Sequence, residues 1–367
     1  MDWINLGAWI VIGFAVIRLL VSLLNLIFKR ELTDMRLEGE PLVDILIPAR
    51  NEENNLPRIL KDLDQQSYRE FRITVYDDNS SDGTGAYLDE VKKGNPALSV
   101  IKGIDVPDGW SGKNHACYQL AKNVNGSIII YLDADVRVSR CFVRKVVAHF
   151  HKHELHLLSF FPVQVTKTFG ELLIVPLINW ILLSLLPLNL VRASSRPALS
   201  AANGQCMVFD ADNYKHHQWH KQVCIDPVED IAIMRKMKAA DFKVETLPGN
   251  NEISCRMYRT FRESLNGVAR SAPAFFGNNW LLATFFVVII VPGPLLVFLS
   301  GDLFLIYFFI LTVLLMRVFV SIVSKQAVLL NVILHVPQML MFPIVVFKGL
   351  YNRFRRRYQW KGRAFKL

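Results

Sequence analysis

The chain has 367 residues, 52% hydrophobic and only 20% charged, whereas an ordinary soluble domain is about 45–50% apolar and about 25% charged. That balance excludes disordered, collagenous and low-complexity classes and leaves room for two or three structural units. The net charge of +10 is local, because residues 348–367 hold eight Lys or Arg and no acid, which argues against nucleic acid as a partner of the whole domain.

In chain order, residues 1–30 come first. Residues 4–28 carry one charge, Arg18, over more than the ~20 residues that cross hydrocarbon. The run ends at Lys29-Arg30 and lacks the basic start of a secretory signal. It reads as an uncleaved transmembrane anchor with the following chain on the cytoplasmic side. Arg18 reads as a snorkelling or helix-packing residue, with a partner contact as the alternative.

Residues 42–275 alternate short apolar runs with amphipathic stretches. Val43–Ile47, Phe71–Tyr76, Leu98–Ile101 and Ser127–Leu132 predict strands, and Asn54–Gln66 and Asn114–Asn123 carry helical spacing. Alternation of this kind predicts an α/β fold with a mostly parallel sheet. The apolar segment 172–191, interrupted by Pro176 and Pro187, predicts an interfacial or core helix pair. Runs 280–299, 303–323 and 326–347 are nearly free of charge and read as membrane segments. A cytoplasmic basic tail, 348–367, requires one of the three not to cross; the alternative is three crossings with the tail outside. The candidates are the first, broken by Pro292-Gly293-Pro294, and the last, which holds His335, Pro337 and Pro343. The tail itself is suited to anionic lipid headgroups.

Five cysteines, at 117, 141, 206, 224 and 255, form no C-x-x-C pair, against a disulfide scaffold or zinc ribbon. His151, His153 and His156, like His216, His217 and His220, sit in amphipathic settings that favour solvated faces or core contacts over a zinc site.

Ligands of parallel sheets bind beyond the carboxyl ends of the strands. There the chain places Pro48-Ala49-Arg50-Asn51-Glu52, then Asp77-Asp78-Asn79-Ser80-Ser81-Asp82-Gly83-Thr84, then Asp133-Ala134-Asp135. Acids therefore converge on one sheet edge. A pair spaced i, i+2 suits a hard divalent cation, Mg or Mn, together with substrate phosphates. Gly112-Lys113 opens a helical stretch able to meet an anion. The chain has no G-x-x-x-x-G-K-[ST] and no G-x-G-x-x-G string, which removes the warrant for P-loop and dinucleotide sites.

The order PARNE, DDNSSDGT, SGKNHA, LDAD and Glu229-Asp230 resembles the family 2 inverting glycosyltransferases of the GT-A fold, over roughly residues 42–270. GKNHACYQL, the flanking apolar segments and Trp360-Lys361-Gly362-Arg363 look most like the membrane members that decorate C30 carotenoid acids. The resemblance implies a UDP-sugar donor and a lipid or carotenoid acceptor. It assigns Asp78 to the uracil, Pro48, Arg50 and Glu52 to the nucleotide pocket with Lys113 nearby, and Asp133 to ribose or sugar. It also makes Asp135 the metal ligand at the diphosphate, and Asp230 of the Glu229-Asp230 pair the general base. Processive relatives carry Gln-x-x-Arg-Trp before their membrane helices. No such string occurs in Ser254–Glu263, which implies transfer of a single hexose. Hopanoid or glycerolipid acceptors, or a non-catalytic nucleotide-sugar scaffold, are the alternatives.

Overall fold

The computed structural model describes residues 3–33, 39–95, 97–355, 358–360 and 363–365. The chain divides into two compact units, one made of residues 1–29, 164–190 and 257–355, the other of 30–163, 191–256 and 356–367.

The second unit is built on a seven-stranded sheet. Its first half is β1 (Val43–Ala49), β2 (Phe71–Asp77), β3 (Leu98–Lys102) and β4 (Ile128–Leu132), in the spatial order β3-β2-β1-β4. All three pairings within it are parallel. Each of these strands begins or ends within two residues of its sequence expectation. Every residue of β1 and β4 is buried, as expected of a near-continuous apolar run covered on both faces. Asp44 is the exception in chemistry but not in burial. Its carboxylate accepts the N–H groups of Asn125 and Gly126 at 2.9 and 2.6 Å and faces Arg72 at 3.4 Å, so the buried charge is paired. Pro48 falls beyond Leu46, where the pairing of β1 with β4 ends, a position at which a missing N–H costs the ladder least.

Beyond β4 the order continues through Cys206–Asp210, Leu157–Phe161 and Val244–Pro248. Cys206–Asp210 runs antiparallel to both its neighbours, while Leu157–Phe161 and Val244–Pro248 are parallel. The sheet of this α/β unit is therefore mostly parallel with one reversed strand. A short strand, Val136–Val138, leaves the end of β4 and pairs antiparallel with Ile253–Cys255, placing Cys255 opposite Val136.

The first unit is helical. Three of its helices are long and apolar enough to cross a membrane: Trp3–Ile27, Trp280–Leu299 and Leu303–Val323. The segment 326–347 is not among them: it divides at Leu334 into Val328–Ile333 and a helix from His335 to Phe354, which is long enough but carries His335, Gln338, Lys348 and Asn352 among its apolar residues. The segment 172–191 falls on three helices, Phe169–Ile174, Pro176–Leu185 and the start of Asn189–Ala193, the first two divided where Pro176 starts the second. Leu177 and Trp180 are fully buried, which makes the second a core helix of this unit. Arg18 does not snorkel: it is 2% exposed and bonded to Ser184. The basic tail continues the last helix through Arg353, while Arg356, Arg357, Lys361 and Gly362 lie outside the described residues.

Candidate active site

The turns after β1 and β2 brace each other. Asn51 and Asn79 follow the two strands and take left-handed φ values of 53° and 50°, a region asparagine tolerates better than bulkier residues. The Asn51 amide N–H donates to the Ser80 hydroxyl, and its side-chain oxygen accepts from the Ser81 N–H. Glu52 N–H donates to Thr84 Oγ1 at 2.8 Å. Within this frame Arg50 donates to the carbonyls of Asp78 and Asn79, and its guanidinium lies 3.9 Å from the Asp78 carboxylate, which is fully buried. Gly103 passes so close that a Cβ there would meet the Asp77 carbonyl at 2.5 Å and Asp78 Cα at 2.9 Å. The close approach of that loop to Asp78 therefore requires glycine.

The second cluster gathers around Lys113. The helix Gly112–Ala121 starts at an N-cap, Ser111, whose hydroxyl accepts from the Asn114 N–H. Lys113 thus sits in the first turn, and its ammonium meets both oxygens of Asp133 at 2.9 and 3.0 Å, Glu229 Oε1 at 3.2 Å and the Gly204 carbonyl at 3.1 Å. Asp133 lies directly after β4. Glu229 and Asp230 open the helix Glu229–Ala239, where negative charge is favoured by the helix dipole. Gly204 closes the ring, its N–H donating to Asp230 Oδ2 at 2.7 Å while the Ile231 N–H donates to Oδ1 at 2.8 Å.

This arrangement separates the acidities of neighbouring carboxyl groups. Burial opposes the Lys113 charge, but Asp133 and Glu229 outweigh it and hold the ammonium well above its ordinary range. Burial raises Asp133, an effect that Lys113 partly offsets and that Glu229 and Glu52 reinforce. Burial also works to raise Glu229, but Lys113 overcomes it and leaves that group ionised below its usual value. Asp230 is pushed up to about 7, by burial and then by the neighbouring Glu229 charge. One carboxylate of the pair is thus fixed as an anion, and the other is poised near neutrality, as a general base requires.

Asp135 is half-buried at the start of the strand that pairs with Ile253–Cys255. It shares a hydrogen bond with the Cys255 thiol, which burial and then Asp135 and Asp133 hold protonated, well above its ordinary value. Oxygen donors at a partly open edge fit a hard divalent cation whose remaining ligands come from phosphate. Among the described residues no group of three or more His, Cys, Asp and Glu suited to a metal occurs, so the chain by itself would supply only part of such a shell.

All nine residues singled out in the sequence belong to the sheet unit. Lys113, Asp133, Glu229 and Asp230 form one cluster, Arg50 and Asp78 form another, and Glu52 reaches the first through its effect on Asp133. Pro48 lies buried within β1. Sequence reading missed Gly204 and Asn114. Asn114 Nδ2 lies within 2.8–3.1 Å of the carbonyls of Val223, Cys224 and Asp226, tying the Lys113 helix to the loop that leads into Glu229. The signal available for Asn114 was its place beside Lys113 at a helix start; Gly204 acts through its backbone and gave none. His220, set aside as a core residue, is buried, hydrogen-bonded to Tyr214 and packed on Tyr131.

At the carboxyl end of β4 a lysine thus bridges two acids beside a carboxyl group poised near neutrality. Residues 44–178 match the family model described as Glycosyl transferase family 2. It is 28% identical over 246 residues to 4,4'-diaponeurosporenoate glycosyltransferase of Staphylococcus haemolyticus, covering 64% of this chain and 62% of that one. It is also 35% identical over 134 residues to the protein of the same name from Staphylococcus aureus, covering 35% and 33%. The chain thus matches under two thirds of the length of either relative. Among solved structures it resembles a mannosyltransferase from Pyrobaculum calidifontis in complex with GDP-Man and Mn2+, with a TM-score of 0.58, 14% identity and coverage of 95% and 99%. That likeness identifies the fold.

Proposed function

We propose that the chain is a membrane-bound inverting glycosyltransferase that moves one hexose from a UDP-sugar, glucose being the leading donor sugar, to a lipid acceptor of the C30 carotenoid-acid or polyisoprenoid type. The observation that carries this reading is the Lys113–Asp133–Glu229–Asp230 ring at the carboxyl end of β4, two of whose members, Lys113 and Asp133, lie in the segment that matches the family 2 model. The names of the relatives support the acceptor class. The apolar helices support a multi-pass membrane setting with the sheet unit on the cytoplasmic side.

In this reading Asp78 holds the uracil, with Arg50 fixing the Asp78 turn and Pro48 and Glu52 walling the nucleotide. Asp133, oriented by Lys113, binds ribose or sugar, and the Lys113 charge faces the diphosphate. Asp135 would hold a Mg or Mn ion, which supplies charge neutralisation at the departing UDP. Asp230 takes the proton of an acceptor hydroxyl as its oxygen attacks the anomeric carbon from the face opposite UDP, inverting it. Glu229, kept ionised by Lys113, keeps Asp230 basic enough to do so.

The test is transfer of label from UDP-glucose into extractable lipid by membranes carrying the full chain. Asp135→Ala abolishes transfer if the assignment is right. Transfer unchanged in Asp135→Ala and Asp230→Asn combined refutes the site.

A further inference from the structure

The helical unit buries two guanidinium groups whose contacts are all neutral. Arg18, on Trp3–Ile27, is 2% exposed, and Arg317, on Leu303–Val323, is 1% exposed. Arg18 donates through Nε and Nη2 to the Ser184 hydroxyl. Arg317 donates through Nε to His335 Nδ1 at 3.0 Å and through Nη2 to Gln338 Oε1. Both cations flank one ring: Arg18 Cζ is 4.1 Å and Arg317 Cζ 5.4 Å from the Trp180 centroid. Among the described residues no carboxylate touches either group, and the Nη1 atoms make no hydrogen bond. The indole N–H of Trp180, itself fully buried, also has no acceptor.

Two like charges in an apolar interior repel each other and are costly without a counter-charge. The faces of Trp180, and for Arg18 also of Phe286 and Phe14, offset part of that cost but neutralise neither cation. The unspent donors suit an oxyanion with two oxygens side by side, since guanidinium matches carboxylate and phosphate with paired N–H groups. The surroundings favour an ion that brings hydrocarbon with it. Phe286 lies 5.1 Å from Arg18 Cζ, and Phe342 lies 5.4 Å from Trp180. The helix surface beside Arg18 exposes Ile17 and Leu20, which would not admit a hydrated free ion readily.

We propose that Arg18, Arg317 and the Trp180 indole N–H form a receptor for the oxyanion headgroup of an apolar-tailed amphiphile, a carboxylate or phosphate carried on a lipid chain. Bound there, the headgroup supplies the missing counter-charge and its tail lies along the apolar helices. This site belongs to the helical unit and stands apart from the nucleotide-sugar assignment, so either can fail alone.

The experiment is thermal unfolding of the full chain, purified in neutral detergent and stripped of lipid, with oleate, dioleoyl phosphatidic acid, oleyl alcohol or inorganic phosphate added. Oleate and phosphatidic acid are expected to raise the midpoint by about 5 °C at saturation, and oleyl alcohol and inorganic phosphate to leave it unchanged. Arg18→Gln and Arg317→Gln lose the shift while keeping the wild-type circular dichroism. Should either variant fail to fold, Trp180→Phe keeps the ring face and removes only the N–H, and must weaken oleate by about tenfold. An equal shift with oleyl alcohol, a full oleate shift in both glutamine variants, undiminished oleate affinity in Trp180→Phe, or no shift with either anionic lipid overturns the proposal. A shift produced by inorganic phosphate alone assigns the anion to a soluble source and overturns the lipid assignment.

Discussion

Asp230 carries the sharpest consequence at the scale of single residues. Because burial and the Glu229 charge hold it near 7, it is protonated below that value and ionised above it. Transfer to a hydroxyl acceptor should therefore rise with pH through about 7 and then level off, and Asp230→Asn should lower kcat by about 10²–10⁴-fold with little change in donor KM. An acceptor that is a carboxylic acid is already ionised at neutral pH. Its transfer should show no rising limb at that pH and should largely survive Asp230→Asn. Profiles of kcat against pH for both acceptor types separate these outcomes. Gly204 gives a second prediction. A Cβ there would lie 2.8 Å from Glu229 Oε1 and 3.0 Å from Lys113 Nζ, so Gly204→Ala should displace the ring, with overpacking of about 1–3 kcal/mol. Calorimetry should show a small loss of stability beside a large loss of transfer.

Between elements, the contact that fixes the site is the one from Asn114 to the 223–226 loop. Its amide serves three carbonyls at once. Asn114→Ala removes the side-chain hydrogen bonds that tie the Lys113 helix to that loop and should cost about 1–3 kcal/mol of unfolding free energy, measurable in denaturant, with transfer falling because Lys113 and Glu229 no longer share a fixed frame. Sequence legibility follows the same division. The strands β1 to β4 could be read because each is a short apolar run closed by polar residues, and the strand ends carry the acids. The second half of the sheet was not read, since Cys206–Asp210 and Leu157–Phe161 are short, lie on either side of a helical excursion and pair antiparallel. Nothing in local periodicity encodes that reversal. The carboxylates of the site were legible as residue types. The backbone groups of Gly204 and the three-way bridge of Asn114 were not, because both exist only once distant segments meet.

For the molecule as a whole, the apolar helices supply the membrane reading, and two of the three C-terminal runs have the length and composition to cross. The proposed topology, with one crossing before the sheet unit and two after it, would put the end of the last helix in the cytoplasm. A single cysteine at Asn352→Cys, in a chain whose own cysteines are replaced, should resist an impermeant thiol reagent in intact cells and react once they are opened. Labelling in intact cells would mean a third crossing. The central claim, that the acids gathered at the carboxyl edge of the sheet transfer a sugar to lipid, is tested most directly by mass spectrometry of total lipid. Cells expressing the wild-type chain are compared with cells expressing Asp135→Ala or Asp230→Asn. The account predicts a lipid heavier by one hexose with the wild type that disappears with Asp135→Ala; the same species at undiminished level with both substitutions combined, or no such species at all, would contradict it.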